Sequence, residues 1–286
     1  MGDFVANAAV VHQVGAARGH LSILSAMDIS RDELLANFGR TINDLILSHR
    51  LDLERTRAAI PSLPEFMRRS LPGAKTRWVD GTPEYSLHIY ALKKLFPEAM
   101  FIHVLRDVRD VVRSMLNFYR LAGVQLVANE EEAYRYWLRM VKACVQAERA
   151  YGSNVVRRLP YNALIDAPES AIRSILDFVG ESFGAQCLEP LSCQINSSDV
   201  PPDFVAEDPS TDRKVVEEAT NLYVELRCAP PVTELSSVAA EEMAAEFGRN
   251  VQHVATVEDQ LRNAVQTVKT LEKQRLKENI RDEALL

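Results

Sequence analysis

The sequence is poor in cysteine and contains no long apolar run. Its 286 residues include four cysteines, none of them in a CxxC pair, so neither a disulfide scaffold nor a zinc ribbon or dithiol redox site is expected. No apolar run approaches the roughly 18 residues of a membrane span, and the first twenty residues lack the basic start and apolar stretch of a signal peptide. We therefore expect a protein that does not span a membrane and that lies in the reducing cytoplasm.

Glycine is also scarce, and the common phosphate-binding patterns are missing. None of the 11 glycines lies in a GxxxxGK[ST] or GxGxxG pattern, the two patterns in which backbone amides cradle the phosphates of a nucleotide. This absence argues against a nucleoside or small-molecule kinase, and a nucleotide bound here needs a different loop. The six histidines are scattered without the spacing of metal ligands, so no metal site is predicted.

The charge balance is mildly acidic. The chain has 33 basic and 40 acidic residues, for a net charge of −7, which makes wholesale binding to nucleic acid a poor prediction. A local basic cluster can still bind a small anion.

The composition is that of an ordinary globular protein. The apolar share is 47% and the charged share 26%, and a chain of this length can bury a sizeable core without disulfides or bound metals.

The apolar pattern predicts short strands alternating with helices. Strands are predicted at 76–79 and 100–105, with a helix between them that opens at Thr82-Pro83 and runs to about Phe96. This strand, helix and strand have the length of a βαβ unit and imply a parallel sheet. The predicted fold class is therefore α/β, a parallel sheet flanked by helices. A third strand is predicted at 154–159, and further helices at about 31–57, 106–123, 129–151, 166–180 and 213–227.

The last part of the chain has the composition of a long helix. After Pro230-Pro231, helix formers dominate, and apolar residues follow the a and d positions of heptads: Val254, Val257, Leu261, Ala264, Val268 and Leu271. We predict a first domain at 1–230 and a helical extension at 231–286. Two interpretations of the extension remain open, a helix that dimerises or links to a partner and a solvated tail helix.

Residues 100–118, MFIHVLRDVRDVVRSMLNF, are the most informative stretch. A buried strand passes directly into a helix, so free backbone N–H groups and the positive end of the helix dipole are expected beside Arg106. Ser114 follows two helical turns later, and Arg109 and Arg113 add positive charge. This pattern predicts an anion site. The alternative is a surface helix whose charged residues are simply solvated.

Three ordered runs resemble motifs of one enzyme family: WVDGTPEY at 78–85, LKKLFPEAMFIHVLRDVRDVVRSM at 92–115 and YNALIDAPESAIRSILDFVGESF at 161–183. They are similar to the sulfotransferases that use 3′-phosphoadenosine 5′-phosphosulfate, over roughly residues 75–185. The resemblance implies a sulfotransferase domain with a P-loop-like α/β fold. It also implies that Arg106 and Ser114 hold the 3′-phosphate of the nucleotide and that Tyr161 lies near the nucleotide, although Tyr161 can instead be a tyrosine that packs on the sheet at the end of a strand. A guanidinium can grip phosphate in a bidentate way and a hydroxyl can bind a remaining oxygen.

The sequence departs from the family pattern at three places. The family's DKTP stretch is Asp80-Gly81-Thr82-Pro83 here, so a glycine replaces the lysine that faces the sulfonate, and the YEDL stretch is YNAL, without its carboxylates. The loop that binds the 5′-phosphosulfate has its only counterpart in residues 11–27, where Arg18 and Ser22 can serve as ligands. Either this stretch is a degenerate loop, or the loop lay upstream of Met1 in a longer ancestor and the stretch is a helix.

Two functions follow from the resemblance. The first is a sulfotransferase that moves sulfonate from 3′-phosphoadenosine 5′-phosphosulfate to a hydroxyl or amine of a small molecule or glycan, with Glu84 and His88 as candidate catalytic groups. Each has a structural alternative, because Glu84 also stabilises a helix start and His88 can be a packed histidine. The second is a catalytically impaired remnant that keeps the 3′-phosphate half-site and meets a partner through its C-terminal helix. Trp137 is expected to pack in the core.

Overall fold

The computed structural model describes residues 5, 6, 8, 9, 24, 27–49, 61, 77–118, 123, 125–192 and 207–283, with side chains to 275. Arg18, Ser22 and the rest of the loop predicted at 11–27, except residues 24 and 27, lie outside the described residues. So do residues 50–57 of the first predicted helix.

The described sheet has two parallel strands. Strand β1 (Phe101–Leu105) pairs with β2 (Val156–Pro160), and His103 lies opposite Arg158 in the register. Helices pack around this pair, which confirms the prediction of an α/β fold with a parallel sheet. The strands predicted at 100–105 and 154–159 are both present, and each begins one or two residues later than the apolar pattern indicates.

Eight α-helices are labelled in the part of the chain that the structure describes, and two 3₁₀ helices, Pro83–His88 and Ala185–Ser192, accompany them. The α-helices are α1 (Arg31–Ser48), α2 (Ile89–Leu95), α3 (Val108–Asn117), α4 (Glu130–Tyr151), α5 (Tyr161–Asp166), α6 (Pro168–Val179), α7 (Arg213–Cys228) and α8 (Ser237–Glu283).

Polar side chains cap the starts of α1 and α4, and a glycine ends α6, whereas α3 ends at Asn117 and not at the predicted Gly123. The Ser30 hydroxyl accepts a hydrogen bond from the Glu33 amide at 3.2 Å, which is one half of a capping box at the start of α1. Asn129 caps α4 in the same way, and Gly180 ends α6 in the left-handed conformation, with φ of 70°. Helix α3 begins at Val108 and not at Arg106, because Asp107 is its cap.

The predicted strand at 76–79 is wrong over its described residues 77–79, which have no regular structure. The Trp78 ring packs edge-on against Phe96, with centroids 5.6 Å apart, and its Nε1 donates to Asn43 of α1 at 2.8 Å. Val79 is 92% exposed. The contact of the Trp78 ring with Phe96 therefore accounts for the apolar pattern of this segment, although the segment does not form a strand.

Helix α4 lies at the centre of the molecule. One side of it packs on α3 and α7, and the buried Trp137 belongs to this cluster, which confirms its predicted place in the core. Its other side packs on α8 through Ala147 and Met243. Phe247 and Val251 of α8 then pack against α1 and α2. The first turns of the predicted extension thus form part of the core, while the division of the chain at residue 230 stays a prediction.

Candidate functional site

The two strands bring Arg106 and Tyr161 together. Leu105 and Pro160 end the strands opposite each other, so the next residue of each segment leaves the sheet at its carboxyl edge, where parallel sheets bind ligands. The Arg106 guanidinium carbon lies 4.9 Å from the centroid of the Tyr161 ring, a cation–π distance. The contact with the ring restricts where the guanidinium can lie.

Arg106 has an unsatisfied donor. Its Nε atom is buried and has no hydrogen-bond partner among the described residues, as is also true of the Nε atoms of Arg113 and Arg157, and such an arrangement costs about 1–3 kcal/mol for a neutral group and more for a charged one. An oxyanion bound at this edge of the sheet supplies the missing acceptor. The side chain is therefore suited to hold a phosphate or sulfate oxygen.

The N-terminus of α3 already holds a carboxylate. The Asp107 side chain accepts a hydrogen bond from the Arg109 amide at 2.9 Å, so this terminus is not a set of free amides as the sequence indicates. The negative charge of Asp107 also opposes an anion at the helix axis. An anion bound at this site would consequently depend on the Arg106 side chain more than on the helix terminus.

Ser114 lies on α3, two turns beyond Arg106, and is half-buried. Its assignment to the 3′-phosphate stays a prediction.

The Asp80-Gly81-Thr82-Pro83 stretch forms a tight hydrogen-bonded turn. Asp80 accepts from the Thr82 amide at 3.0 Å, from the Thr82 hydroxyl at 2.7 Å and from the Tyr85 hydroxyl at 3.0 Å. The hydrogen bond from the Thr82 hydroxyl is the main reason that the pKa of Asp80 lies below its usual 3.8. Burial and the same carboxylate raise the pKa of Tyr85. The Asp-x-Thr spacing was an available signal for this turn.

Thr82 therefore does not cap the following helix as predicted, because its hydroxyl is bound to Asp80 and makes no cap hydrogen bond. The helix predicted from Pro83 to Phe96 begins as the 3₁₀ helix Pro83–His88 and becomes α-helical only in α2.

Glu84 and His88 lie on that 3₁₀ helix, which packs on α4. Glu84 Oε1 accepts a hydrogen bond from the Tyr136 hydroxyl at 2.9 Å, and burial together with this carboxylate raises the pKa of Tyr136 to about 12. His88 is half-buried at the end of the 3₁₀ helix. In the described part of the chain, the hydrogen-bond partner of Glu84 is Tyr136 and the ring contact of Arg106 is with Tyr161. The structure therefore does not join Glu84 directly to Arg106.

A buried polar network lies under the sheet. Glu148 of α4 binds His103 of β1, with 2.6 Å between Oε1 and Nδ1, and Arg158 of β2, whose Nε donates to Oε1 at 3.2 Å. A further Arg158 N–H binds the other Glu148 oxygen, and another donates to the Leu226 carbonyl of α7 at 2.9 Å. Burial raises the pKa of Glu148, but the hydrogen bonds from His103 and Arg158 outweigh it and leave the pKa below the usual 4.5. The network ties both strands to α4 and α7.

Sequence reasoning missed this network, although the signal was present: a histidine and an arginine stand inside two predicted buried strands, where an ionisable residue needs a partner.

Neither a metal cluster nor a membrane-spanning helix is found among the described residues. Over the part of the chain with described positions, no group of three or more His, Cys, Asp or Glu side chains is arranged to hold a metal ion. Among the described helices, none combines the length and apolarity that a membrane crossing requires.

Comparison with known proteins gives one family. A family model described as "Sulfotransferase family" matches residues 30–184, more than half of the chain and the part that contains β1, β2, Arg106 and Tyr161. Among solved structures, a match is "Sulfotransferase Domain from the Curacin Biosynthetic Pathway", with 15% sequence identity, a TM-score of 0.33, and coverage of 58% of this chain and 60% of that one. The chain thus spans about three fifths of that domain. No curated protein matches the chain.

Proposed function

The chain belongs to the sulfotransferase family, and on that premise we propose that it transfers a sulfonate group from 3′-phosphoadenosine 5′-phosphosulfate to a hydroxyl or amine acceptor. The acceptor is a small molecule or a glycan. The observation that carries the proposal is the Arg106 guanidinium, which lies 4.9 Å from the Tyr161 ring at the carboxyl edge of the sheet and has a buried donor without a partner among the described residues.

The residues present fit the 3′-phosphate of this nucleotide. A phosphate oxygen satisfies the buried Nε of Arg106, and a second oxygen can bind the same planar guanidinium. The Tyr161 ring lies 4.9 Å from the guanidinium carbon and restricts where the side chain can lie. In the family motif, Ser114 adds a hydroxyl to the same phosphate. When bound, the nucleotide supplies the sulfonate and a phosphate leaving group.

The remaining roles are assigned from the family motif and from proximity in sequence. Arg18 and Ser22 are proposed for the 5′-phosphosulfate side. A base must take the proton that the acceptor hydroxyl or amine loses as its bond to sulfur forms, and Glu84 and His88 are proposed for it. Glu84 is held by the Tyr136 hydroxyl, which fixes the carboxylate beside α4. A cytoplasmic location is proposed on the cysteines that are free thiols in the described part of the chain, Cys144, Cys187 and Cys228.

Calorimetric titration with 3′-phosphoadenosine 5′-phosphate tests the site. Arg106→Ala should weaken binding about 10- to 100-fold, because it removes one or two charge-assisted hydrogen bonds. Arg109→Ala is the matched control, since it removes a nearby exposed arginine and should change affinity less than about threefold.

Adenosine 5′-phosphate separates the 3′-phosphate from the rest of the nucleotide. The wild-type protein should prefer the 3′-phosphorylated ligand, and Arg106→Ala should lose that preference. Equal affinity of wild type and Arg106→Ala for 3′-phosphoadenosine 5′-phosphate, or no binding by either, overturns the proposal.

Gly81 favours the second candidate function, a remnant that binds the nucleotide without turnover, because it replaces the family's lysine. A Cβ built on Gly81 meets nothing within 4 Å, so a side chain can start there without a clash at its first atom. If the missing lysine limits the chemistry, Gly81→Lys should raise turnover of the sulfonated donor at least tenfold, while Gly81→Ala should leave it unchanged. Radiolabelled donor with a phenol or sugar acceptor measures this. Turnover by the wild-type protein excludes the remnant, and equal rates in the wild type and both variants exclude a role for position 81.

A further inference from the structure

A groove of about 970 Å³ lies between the start of β2 and helix α6. Its volume is in the range of sites that bind a whole small molecule. Of the described residues that line the groove, all but Phe178 are polar or charged. Asn154 and Arg157 come from β2 and the turn before it, and the other lining residues come from α6. Neither Arg106 nor Tyr161 lines the groove, so it shares no residue with the site at the carboxyl edge of the sheet.

Arg157 has the same two features as Arg106. Its guanidinium carbon lies 5.2 Å from the centroid of the Phe178 ring, a cation–π distance. Its Nε atom is buried and lacks a hydrogen-bond partner in the part of the chain that the structure describes. A buried donor without an acceptor destabilises the folded protein, so an acceptor that a ligand brings to Arg157 would bind favourably.

The groove is the side from which a ligand can reach Arg157. Arg157 also borders a second cavity, but this cavity has a volume of about 180 Å³, below the range of about 300–1,000 Å³ that ligand sites occupy. The carboxylate that lines the second cavity belongs to Glu148, which His103 and Arg158 already bind.

The charges of the groove favour an oxyanion at Arg157. Glu169 accepts hydrogen bonds from Arg173 Nε at 2.9 Å and from a second Arg173 N–H at 2.7 Å, so these two charges neutralise each other. Asp177 is the other carboxylate of the lining, and because its side chain is exposed, water and salt screen its charge. The Nε of Arg157 is out of contact with bulk water, and an oxyanion is the acceptor that a guanidinium binds most strongly.

The rest of the lining is suited to hydroxyl groups. Asn154, Ser170 and Ser174 are exposed in the groove, and each of their side chains can both donate and accept hydrogen bonds. The hydroxyl groups of a sugar do the same. The apolar residue of the lining, Phe178, already has Arg157 against its ring. The groove as a whole therefore fits a polyhydroxylated molecule that carries one oxyanion.

We propose that this groove binds a sugar with a phosphate or sulfate ester, and that Arg157 holds the ester oxygens. The planar guanidinium can bind two oxygens of either ester, and the polar side chains of α6 bind the sugar. This binding is independent of the proposed sulfonate transfer, because the two sites have different residues.

Calorimetric titration with glucose 6-phosphate tests the groove. The full-length Arg106→Ala variant is used, so that the oxyanion site at Arg106 does not contribute. Glucose 6-phosphate should bind this protein, and a further Arg157→Ala should weaken binding about tenfold or more, because the ester loses its charged partner. The matched control is a further Arg149→Ala, which removes an exposed arginine of α4 outside the groove and should change the affinity less than about twofold.

Three further ligands separate the parts of the proposal. Glucose 6-sulfate compares the two esters, and the tighter one identifies the group that Arg157 selects. Inorganic phosphate lacks the hydroxyl groups and should bind about threefold or more weakly than glucose 6-phosphate. Glucose lacks the oxyanion and should bind about tenfold or more weakly. Equal affinity for inorganic phosphate and glucose 6-phosphate shows that the groove holds an ion alone and overturns the proposal.

Variants of the exposed lining residues keep the test decisive if Arg157→Ala does not fold. Ser170→Ala with Ser174→Ala should weaken glucose 6-phosphate about threefold or more and change inorganic phosphate less than about twofold. Asp177→Asn removes a like charge and should strengthen the binding of inorganic phosphate. The proposal is overturned if neither ester binds, if Arg157→Ala or the serine variant leaves the affinity for glucose 6-phosphate unchanged, or if Asp177→Asn weakens inorganic phosphate.

Discussion

Glu148 is a carboxylate buried between two side chains that come from different strands. Its cost of desolvation is offset by His103 and by Arg158, which binds both of its oxygens. A buried ion pair of this kind adds little net stability compared with an apolar replacement, but the loss of one partner leaves the other charge unpaired. Removal of Glu148 would therefore leave the Arg158 charge inside the protein without a counter-ion, and this is its main effect on stability.

We expect Glu148→Gln to lower the free energy of unfolding by about 3–5 kcal/mol, because Arg158 keeps a buried charge without its counter-ion. Urea denaturation followed by circular dichroism measures the change. The control is Glu169→Gln, which breaks the pair of Glu169 with Arg173 on the exposed surface of α6 and should cost less than about 1 kcal/mol. A similar loss in both variants contradicts the expected role of burial.

At the scale of elements, α1 crosses α2 where a glycine removes the side chain between them. A Cβ on Gly39 would lie 1.7 Å from the Leu95 carbonyl oxygen, a backbone atom that cannot turn aside. The two helices approach this closely because Gly39 has only a hydrogen atom at the contact. The position of α2, and with it the 3₁₀ helix that carries Glu84 and His88, depends on that approach.

Gly39→Ala should therefore lower the free energy of unfolding by about 1–3 kcal/mol, since α1 and α2 must move apart. Gly248→Ala is the matched change, as Gly248 also lies inside a helix but its Cβ would meet nothing within 4 Å. That variant should be stabilised by about 0.5–1 kcal/mol through helix propensity alone. Thermal unfolding of both variants shows whether the signs are opposite, and a shared sign refutes the assignment of Gly39.

Signals that act within one segment were sufficient to predict most elements. The start of α4 at Asn129 and the end of α6 at Gly180 depend on local signals, and the structure has both where the sequence indicates. The segment at 77–79 depends on a ring contact between Trp78 and Phe96, which no local pattern encodes.

The candidate site was also predictable only in part. Arg106 and Tyr161 each follow a predicted strand, so a parallel register was enough to place them together. The Asp107 cap changed the expected chemistry of the helix terminus, and Glu148 became visible as a partner of His103 only once α4 was placed against β1. Both depend on side-chain geometry that helix and strand periods do not contain.

For the whole molecule, α8 divides into a part that belongs to the core and a part that does not. A chain that ends after Ala255 keeps Met243, Phe247 and Val251 buried, so its melting temperature at low protein concentration should stay within about 3 °C of the wild type. A chain that ends after Ser236 exposes the surface that those residues cover and should lose several kcal/mol or fail to fold. Differential scanning calorimetry compares the three chains. Equal stability of both truncated chains contradicts this division of α8.

The free energy of unfolding should also depend on pH. The pKa of Glu148 is lower in the folded protein than its ordinary 4.5, so its stabilising interactions are fully present above pH 4.5 and are lost as the pH falls through the lowered value. The unfolding free energy of the wild type should fall in this range, and its advantage over Glu148→Gln should shrink. Urea titrations at about pH 7, 5 and 3.5 at constant ionic strength test this, and a constant advantage at all three values contradicts it.

The network at Glu148 also bears on the time the protein needs to fold. His103 and Glu148 are 45 residues apart in the chain, and Arg158 and Leu226 are 68 apart. Closing loops of that length lowers the chain entropy before the new contacts stabilise the fold, and such non-local contacts slow folding. The junction that holds the two strands in register, and with it the geometry of the Arg106 site, therefore forms through contacts that slow folding.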